Sequence, residues 1–543
     1  MFFLTYGSLR QPFQYAGKSD PLQMLTWVKA ASEGHWIPLL DRTNPRLGAP
    51  DGANWNDFPM YDAQLIWVFG LVARATSLFT GANLLLLCGH LTSALGFLAA
   101  CRMLRVRWTW AVGFALVWSF SCYHAFRGLG HALLSWDYAV PLAVVCSWRV
   151  ADQPVPFRLG GKFFWCTVAL SAAIGQGNPY SVIMWCELLA LSALARWWSG
   201  RGKDGLCFAG VLVGVTLASL VLSNLPCLIE GLRHGFNPYA VPRTYFQTEL
   251  YALKPIDLLL PPFWHRLPEL AQIGARYKEA VWVRGEMFSP YLGVVGIVGL
   301  AWLTGAFLRR FLRGQPTSWH FPQVVWVLLW SCIGGGNCLL AFCGLQVWRG
   351  SDRFSIWILA ICLLWLAVQL SQRLGRRQWL SASLALGVAG LAVFDQFDVS
   401  HTRDAKDDAA LAQKDQQFGE QLEARLAGKR VFQVPVMNFI DADPVGSVKP
   451  YDLTRPYLWT KTVRFSHGRI FGRPEDSWRL QIIAGSTPAQ LAVLLRQRGF
   501  SAVLLDRNGF KDAGESALAG LAAAGYREVI EDQAHEWACV IIE

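Results

Sequence analysis

Residues 14 to 81 carry Asp20, Glu33, His35, Asp41, Asp51, Asp57 and Asp62, a concentration of groups that can accept a proton or ligate a cation. Asp20 and Asp57 could together hold a divalent ion, although spacing alone does not specify one. Each also has a plainer role open to it. Asp20 precedes Pro21 and can cap a helix; Asp57 precedes Phe58-Pro59 and can serve in a turn. Further along, Arg233, Arg243, Lys254, Arg266, Arg276, Lys278 and Arg284 fall within one stretch of some sixty residues. Such cations either bind anionic headgroups or form a solvated face. Arg243 and His265-Arg266 stand beside proline or aromatic residues that can press a loop against lipid. Three more charges lie near apolar runs: Asp352-Arg353, which can pair internally, and Asp137, which can pair with Arg127 or reach the surface. His90 and Glu187 read as satisfied helix contacts. There is no phosphate-binding P-loop, dinucleotide glycine fingerprint, His-Glu-x-x-His or metal-spaced cysteine cluster, so no metal site is assigned.

The elements that must position these residues are mostly apolar. Of 543 residues 53% are hydrophobic and only 16% charged, too few charges to hydrate a soluble surface of this length. Thirteen cysteines are too sparse for a disulfide scaffold. The fold class expected is a mainly α, polytopic transmembrane helical bundle with a C-terminal external α/β domain. Apolar runs give ten spans, near 82–104, 108–126, 131–149, 163–177, 179–197, 206–226, 288–308, 322–345, 354–371 and 379–398. Asn178-Pro179-Tyr180 divides the fourth from the fifth. One alternating set of connections holds fifteen Lys and Arg, from Arg102 to Arg377, and the short connections of the other set hold three: Arg127, Arg349 and Arg353. The rich set is therefore cytoplasmic. The leader, the loop near 227–287 and everything after residue 398 then share the external side. The net charge of +11 reflects this topology and not a nucleic-acid partner.

Three regions follow: an external segment over 1–81, a bundle over 82–398 and a soluble α/β domain over 399–543. In the last, residues 431–436, 501–505 and 537–542 read as strands, and Ser486-Thr487-Pro488 opens a helix over 489–498. In the leader, Leu22, Leu25, Val28 and Ala31 recur at helical spacing after Ser19-Asp20-Pro21, and Leu65, Val68, Phe69 and Val72 follow Asp57-Phe58-Pro59. Both are read as interfacial helices. A leader exported without a signal peptide implies a first span ahead of residue 1, with an N-terminus carried across by neighbouring spans as the alternative.

This order of features resembles the first external loop of GT-C glycosyltransferases. It runs from an acidic residue and a helix through Glu-Gly-His-Trp-Ile-Pro at 33–38 and Pro-Arg-Leu at 45–47. A second helix then leads to Gly81. It is most similar to the branch of protein O-mannosyltransferases and lipid A aminoarabinose transferases. Residues 253–262 and Tyr291-Leu292-Gly293 are also similar to YfhO-like bacterial membrane proteins. The resemblance implies inverting transfer of a sugar from a polyprenyl-phosphate donor to a saccharide, lipid or protein acceptor, on the external face of a bacterial inner membrane. Asp20 matches the family's catalytic acid position and is the general-base candidate; Asp57 is the second, orienting acceptor or holding metal. Arg243, Arg266 and Arg353 are candidates for the donor phosphate, and His35 and Asp137 for the acceptor cavity. Two departures stand out. Pro21 replaces the second acid of the family's pair, and the helix expected before Asp20 is absent. A transporter or flippase for a lipid-linked saccharide, and an inactive scaffold, are the competing readings.

Overall fold

A computed structural model of the protein describes residues 7–17, 19–152, 161–374, 378–396 and 401–543. Arg158, Arg376 and Arg377, counted above for topology, and residues 1–5 lie outside them.

The described residues are mainly helical, with one five-stranded sheet near the C-terminus. Among the described residues five helices are long and apolar enough to cross a membrane: Leu78–Met103, Asp204–Ser223, Gly293–Leu312, Ser351–Leu374 and Gln378–Gln396. Of the other expected spans, 179–197 falls on the unbroken 20-residue helix Pro179–Trp198, and the rest fall on shorter or broken helices. Helix Trp108–Ser119 gives way to Cys122–Arg127, and His320–Ser331 to Gly336–Phe342. The second break coincides with Gly334-Gly335-Gly336, Gly334 having φ +73°. Backbone exposed by a break at membrane depth needs partners from the protein itself. Here the Ser331 carbonyl accepts from the Leu253 N–H at 2.9 Å and from Ser351 Oγ at 2.9 Å. Helix Lys162–Gln176 ends where Asn178 caps Pro179–Trp198, its side chain accepting from the Tyr180 N–H.

Helix Ser355–Leu374 is the axis of the bundle. Its residues from Ser355 to Ala367 are all buried, and the helices at 108–119, 139–152, 293–312 and 320–331 pack around it. Small residues let some helices touch backbone to backbone: a Cβ on Gly175 would stand 2.2 Å from the Thr216 carbonyl oxygen. The arginine-rich turns collect at one end, where Arg149 donates to the Met103 carbonyl, Arg201 to the Ala151 carbonyl, and the Arg107 N–H to Ser371 Oγ. The leader, the second large loop and the C-terminal domain gather at the other.

That domain opens with helix His401–Leu426, where the sequence suggests a linker or helix start. Its sheet contains β3 (Arg430–Val434), β4 (Arg464–Phe465), β5 (Ala502–Asp506), β6 (Val529–Glu531) and β7 (Trp537–Ile541), following the short leader pair β1 (Thr43–Asn44) and β2 (Ala53–Asn54). The order is β4-β3-β5-β7-β6, parallel from β4 to β5 and antiparallel beyond. Helix Pro488–Gln497 starts in a reciprocal cap between Thr487 and Gln490.

The leader is built into this domain. Gln14 and Ala16 N–H groups donate to Asp408 at 2.8 and 2.6 Å, and Tyr15 OH donates to Asp415 at 2.6 Å. One apolar core runs through Tyr15, Leu25, Trp36, Ile66, Phe79, Leu422, Tyr457 and Leu504. The helix Asp20–Ser32 is thus buried on most of its circumference, including Leu22, Leu25, Trp27 and Val28, and does not lie half-exposed on a surface. Helix Ala63–Ala75 does keep an apolar outer face, with Trp67, Val68 and Leu71 exposed.

Candidate active site

Where the leader, the loops and the C-terminal domain meet, they enclose a cleft of about 810 Å³. Asp20 lines it from the first turn of its helix, with Met24 and Trp27 following on the same face at helical spacing. Pro21 suits that first turn, and Ser19 leaves its own hydroxyl to accept from the Tyr451 N–H at 3.0 Å. No side-chain cap bond is made at this terminus, so the Asp20 carboxylate is not consumed in capping. It is 54% exposed, towards the cleft. Behind it the chain passes Gly130 with no room to spare, since a Cβ there would lie 2.7 Å from Asp20 Cβ and 3.0 Å from Pro21 Cδ. Gln14 fixes that loop by accepting from the Leu129 N–H.

Three arginines line the same cleft: Arg243, Arg349 and Arg353. Arg353 stacks over the Tyr180 ring at 4.9 Å and donates through Nη2 and Nε to Glu286 Oε1, at 2.5 and 3.2 Å. Glu286 Oε2 takes Arg127 Nη1, and Arg127 Nη2 donates to Ser289 Oγ at 2.9 Å. One carboxylate therefore serves two guanidiniums, one of them fully buried. Burial opposes charge on Glu286, but Arg127 and Arg353 outweigh it and hold the carboxyl well below the usual range. Arg243 and Arg349 share a different carboxylate, that of Asp441 in the C-terminal domain. His131 Nε2 stands 4.0 Å from Asp20 Oδ2. Burial and the Asp441 charge raise the pKa of Asp20 against the pull of Arg353.

Part of the lining is apolar: Leu220 and Val221 at the end of helix Asp204–Ser223, Leu228 in the short helix Leu225–His234, Phe126 and Val347. The cleft thus brings a carboxylate, guanidinium groups and apolar side chains into one volume, surfaces that suit an amphiphilic phosphate ester.

Of the sequence-derived candidates, Asp20, Arg243 and Arg353 come together here. Asp57 does not line the cleft; its carboxylate is held by Arg473, with Nε at 2.9 Å, and by Asn237 Nδ2 at 3.0 Å. With a guanidinium already on it, Asp57 does not present a divalent-ion site with Asp20. Among the described residues no three His, Cys, Asp or Glu side chains group as metal ligands. Arg266 lies 5.5 Å from the Phe394 ring, beside the His265–Asp395 pair, away from the cleft. His35 follows the far end of the Asp20–Ser32 helix, which at 1.5 Å per residue is about 20 Å long. Asp137 is buried against Ser93 and His124, so its partner is not Arg127. Glu286, Arg349, Asp441 and Tyr451 escaped the sequence reading. Arg349 entered only as a topological charge, and the other three acquire meaning through contacts 67 to 432 residues away in the chain.

No protein-family model matches the sequence, and no curated protein does. Among solved structures the chain is similar to the oligosaccharyltransferase of Archaeoglobus fulgidus in complex with zinc and sulfate. They are 13% identical over 96% of this chain and 70% of that one, with a TM-score of 0.42. A second structure from that organism, the oligosaccharyltransferase AglB with an inhibitory peptide and a dolichol-phosphate, is 12% identical over 97% and 71%, TM-score 0.42. ArnT from Cupriavidus metallidurans, bound to undecaprenyl phosphate, is 12% identical over 100% and 96%, TM-score 0.38. At such values no function passes from them to this chain.

Proposed function

We propose that this protein is an integral membrane glycosyltransferase of the GT-C type. It moves a sugar from a polyprenyl-phosphate donor to an acceptor hydroxyl, on the external face of a bacterial inner membrane. The carrying observation is the cleft itself: it joins the open Asp20 carboxylate to three arginines beside an apolar flank.

The chemistry follows from that arrangement. The lipid tail lies along Leu220, Val221 and Leu228, leaving the phosphate at the arginines. The acceptor oxygen attacks the anomeric carbon as Asp20 takes the hydroxyl proton; the bond from that carbon to the phosphate oxygen breaks, and its electron pair leaves with the phosphate. Charge grows on the departing oxygen, and Arg353, fixed by Glu286 before the reaction begins, meets it without reorganisation. Attack opposite the leaving group inverts the anomeric centre. The acceptor is a saccharide, lipid or protein hydroxyl.

Incubating membranes with radiolabelled undecaprenyl-phosphate sugar tests this. Transfer to a new acceptor should occur and should fall by about 10²- to 10⁴-fold in Asp20→Asn. Undiminished transfer in that variant would remove Asp20 as the base. Carrier crossing liposomes with its sugar still attached would instead establish transport.

A further inference from the structure

The anion seat in this cleft is already filled, and by the protein's own carboxylate. Asp441 Oδ2 accepts from Arg243 Nη1 at 2.5 Å and from Arg349 Nη2 at 3.5 Å. Two guanidiniums from different loops of the bundle converge on one oxygen supplied by the C-terminal domain, as they would on an oxygen of a phosphate. Both arginines have other anchors. Arg349 Nη1 donates to Gln247 Oε1 at 3.1 Å, and its guanidinium lies 5.5 Å from the Tyr251 ring; Arg243 Nη1 also donates to the Pro242 carbonyl at 3.0 Å.

Asp441 is held more lightly. Its backbone sits at φ +48°, its N–H reaches Tyr451 OH only at 3.4 Å, and its side chain is 33% exposed. Ion pairs at that exposure are worth little and exchange readily.

We infer that the Arg243–Arg349 pair is the seat of a phosphate ester and that Asp441 is the stand-in the phosphate displaces. Donor loading therefore releases the loop around Asp441 from the cleft. Identifying the phosphate as that of a polyprenyl carrier rests on the transferase reading; the exchange of anions rests on the geometry alone. A protein whose competent state is only partly populated binds with affinity reduced by that fraction. Removing the internal competitor should accordingly tighten phosphate binding.

The test is equilibrium binding of tritiated undecaprenyl phosphate to the purified full chain in nanodiscs, with no acceptor and no turnover. Asp441→Asn should bind about three- to tenfold more tightly than wild type, while Asp443→Asn, which removes an equal charge two residues away, should not. Unchanged or weaker binding by Asp441→Asn overturns the inference while leaving the transferase reading intact. Absence of binding by both wild type and variant overturns both. Inorganic phosphate in a parallel arm identifies the source: equal tightening there marks a general phosphate seat, and tightening confined to the lipid marks a headgroup seat. Hydrogen exchange on wild type gives an independent readout. Undecaprenyl phosphate should speed exchange over residues 437–451, and slower or unchanged exchange contradicts displacement.

Discussion

Asp20 can take a proton only when ionised, and its surroundings resist ionisation. Burial and the charge of Asp441 raise its pKa above the ordinary 3.8. Transfer should therefore fall as pH drops through a point above the usual aspartate range, as the carboxylate becomes neutral. In Asp441→Asn, where one source of the upward shift in the donor-free enzyme is gone, the acid limb of kcat/KM should move to lower pH; a kcat/KM profile for each protein checks both statements. Glu286 is the residue on which the cations depend. Glu286→Gln leaves the buried Arg127 without a counter-charge, and loss of one partner of such a pair costs about 3–5 kcal/mol. Thermal unfolding in detergent should drop accordingly. Adding Arg127→Met, which removes the stranded charge, should restore much of the loss. Strictly additive losses in the double variant would show that the two side chains are not coupled.

At the level of elements, the placement of Asp20 depends on what the loop at 128–131 lacks. A methyl group on Gly130 would enter the space of Asp20 Cβ and Pro21 Cδ. Gly130→Ala should lower transfer by at least tenfold through misplacement of the base, since about 1 Å of displacement has consequences of that size or larger. Its melting temperature should fall less than that of Glu286→Gln, and full activity would show that the helix start tolerates the shift. The elements were legible in the sequence where local chemistry decides them. Asn178-Pro179 marks a helix boundary, and Thr487-Pro488 opens a capped helix, each set by side chains within a few residues. Less legible were the breaks inside apolar runs. The glycine run at 334–336 is a local signal, but the partners that make it tolerable, Leu253 and Ser351, come from other segments.

For the whole molecule, the leader and the C-terminal domain share a core and together roof the cleft. Asp408 and Asp415 hold residues 14–16, Lys449 donates to the Gly17 carbonyl, and Tyr451 bonds Ser19, immediately ahead of Asp20. These contacts anchor the start of the Asp20–Ser32 helix. Local sequence made Asp20 a candidate but could not show what holds it: composition and spacing report local order, and these bonds join residues some four hundred positions apart. Contacts 67 to 198 residues away in the chain likewise hide Glu286 and Asp441, acids in loops with no local signal to mark them. Charge patterning did capture the gross layout, because the arginine-rich turns gather at the end opposite the cleft. The most direct measurement is a cryo-electron microscopy map of the full chain with undecaprenyl phosphate in nanodiscs. Phosphate density within hydrogen-bond reach of Arg243, Arg349 or Arg353, with the lipid tail leaving past Leu220 and Val221, is the predicted result. Lipid phosphate density elsewhere on the molecule, with the cleft empty, would contradict it.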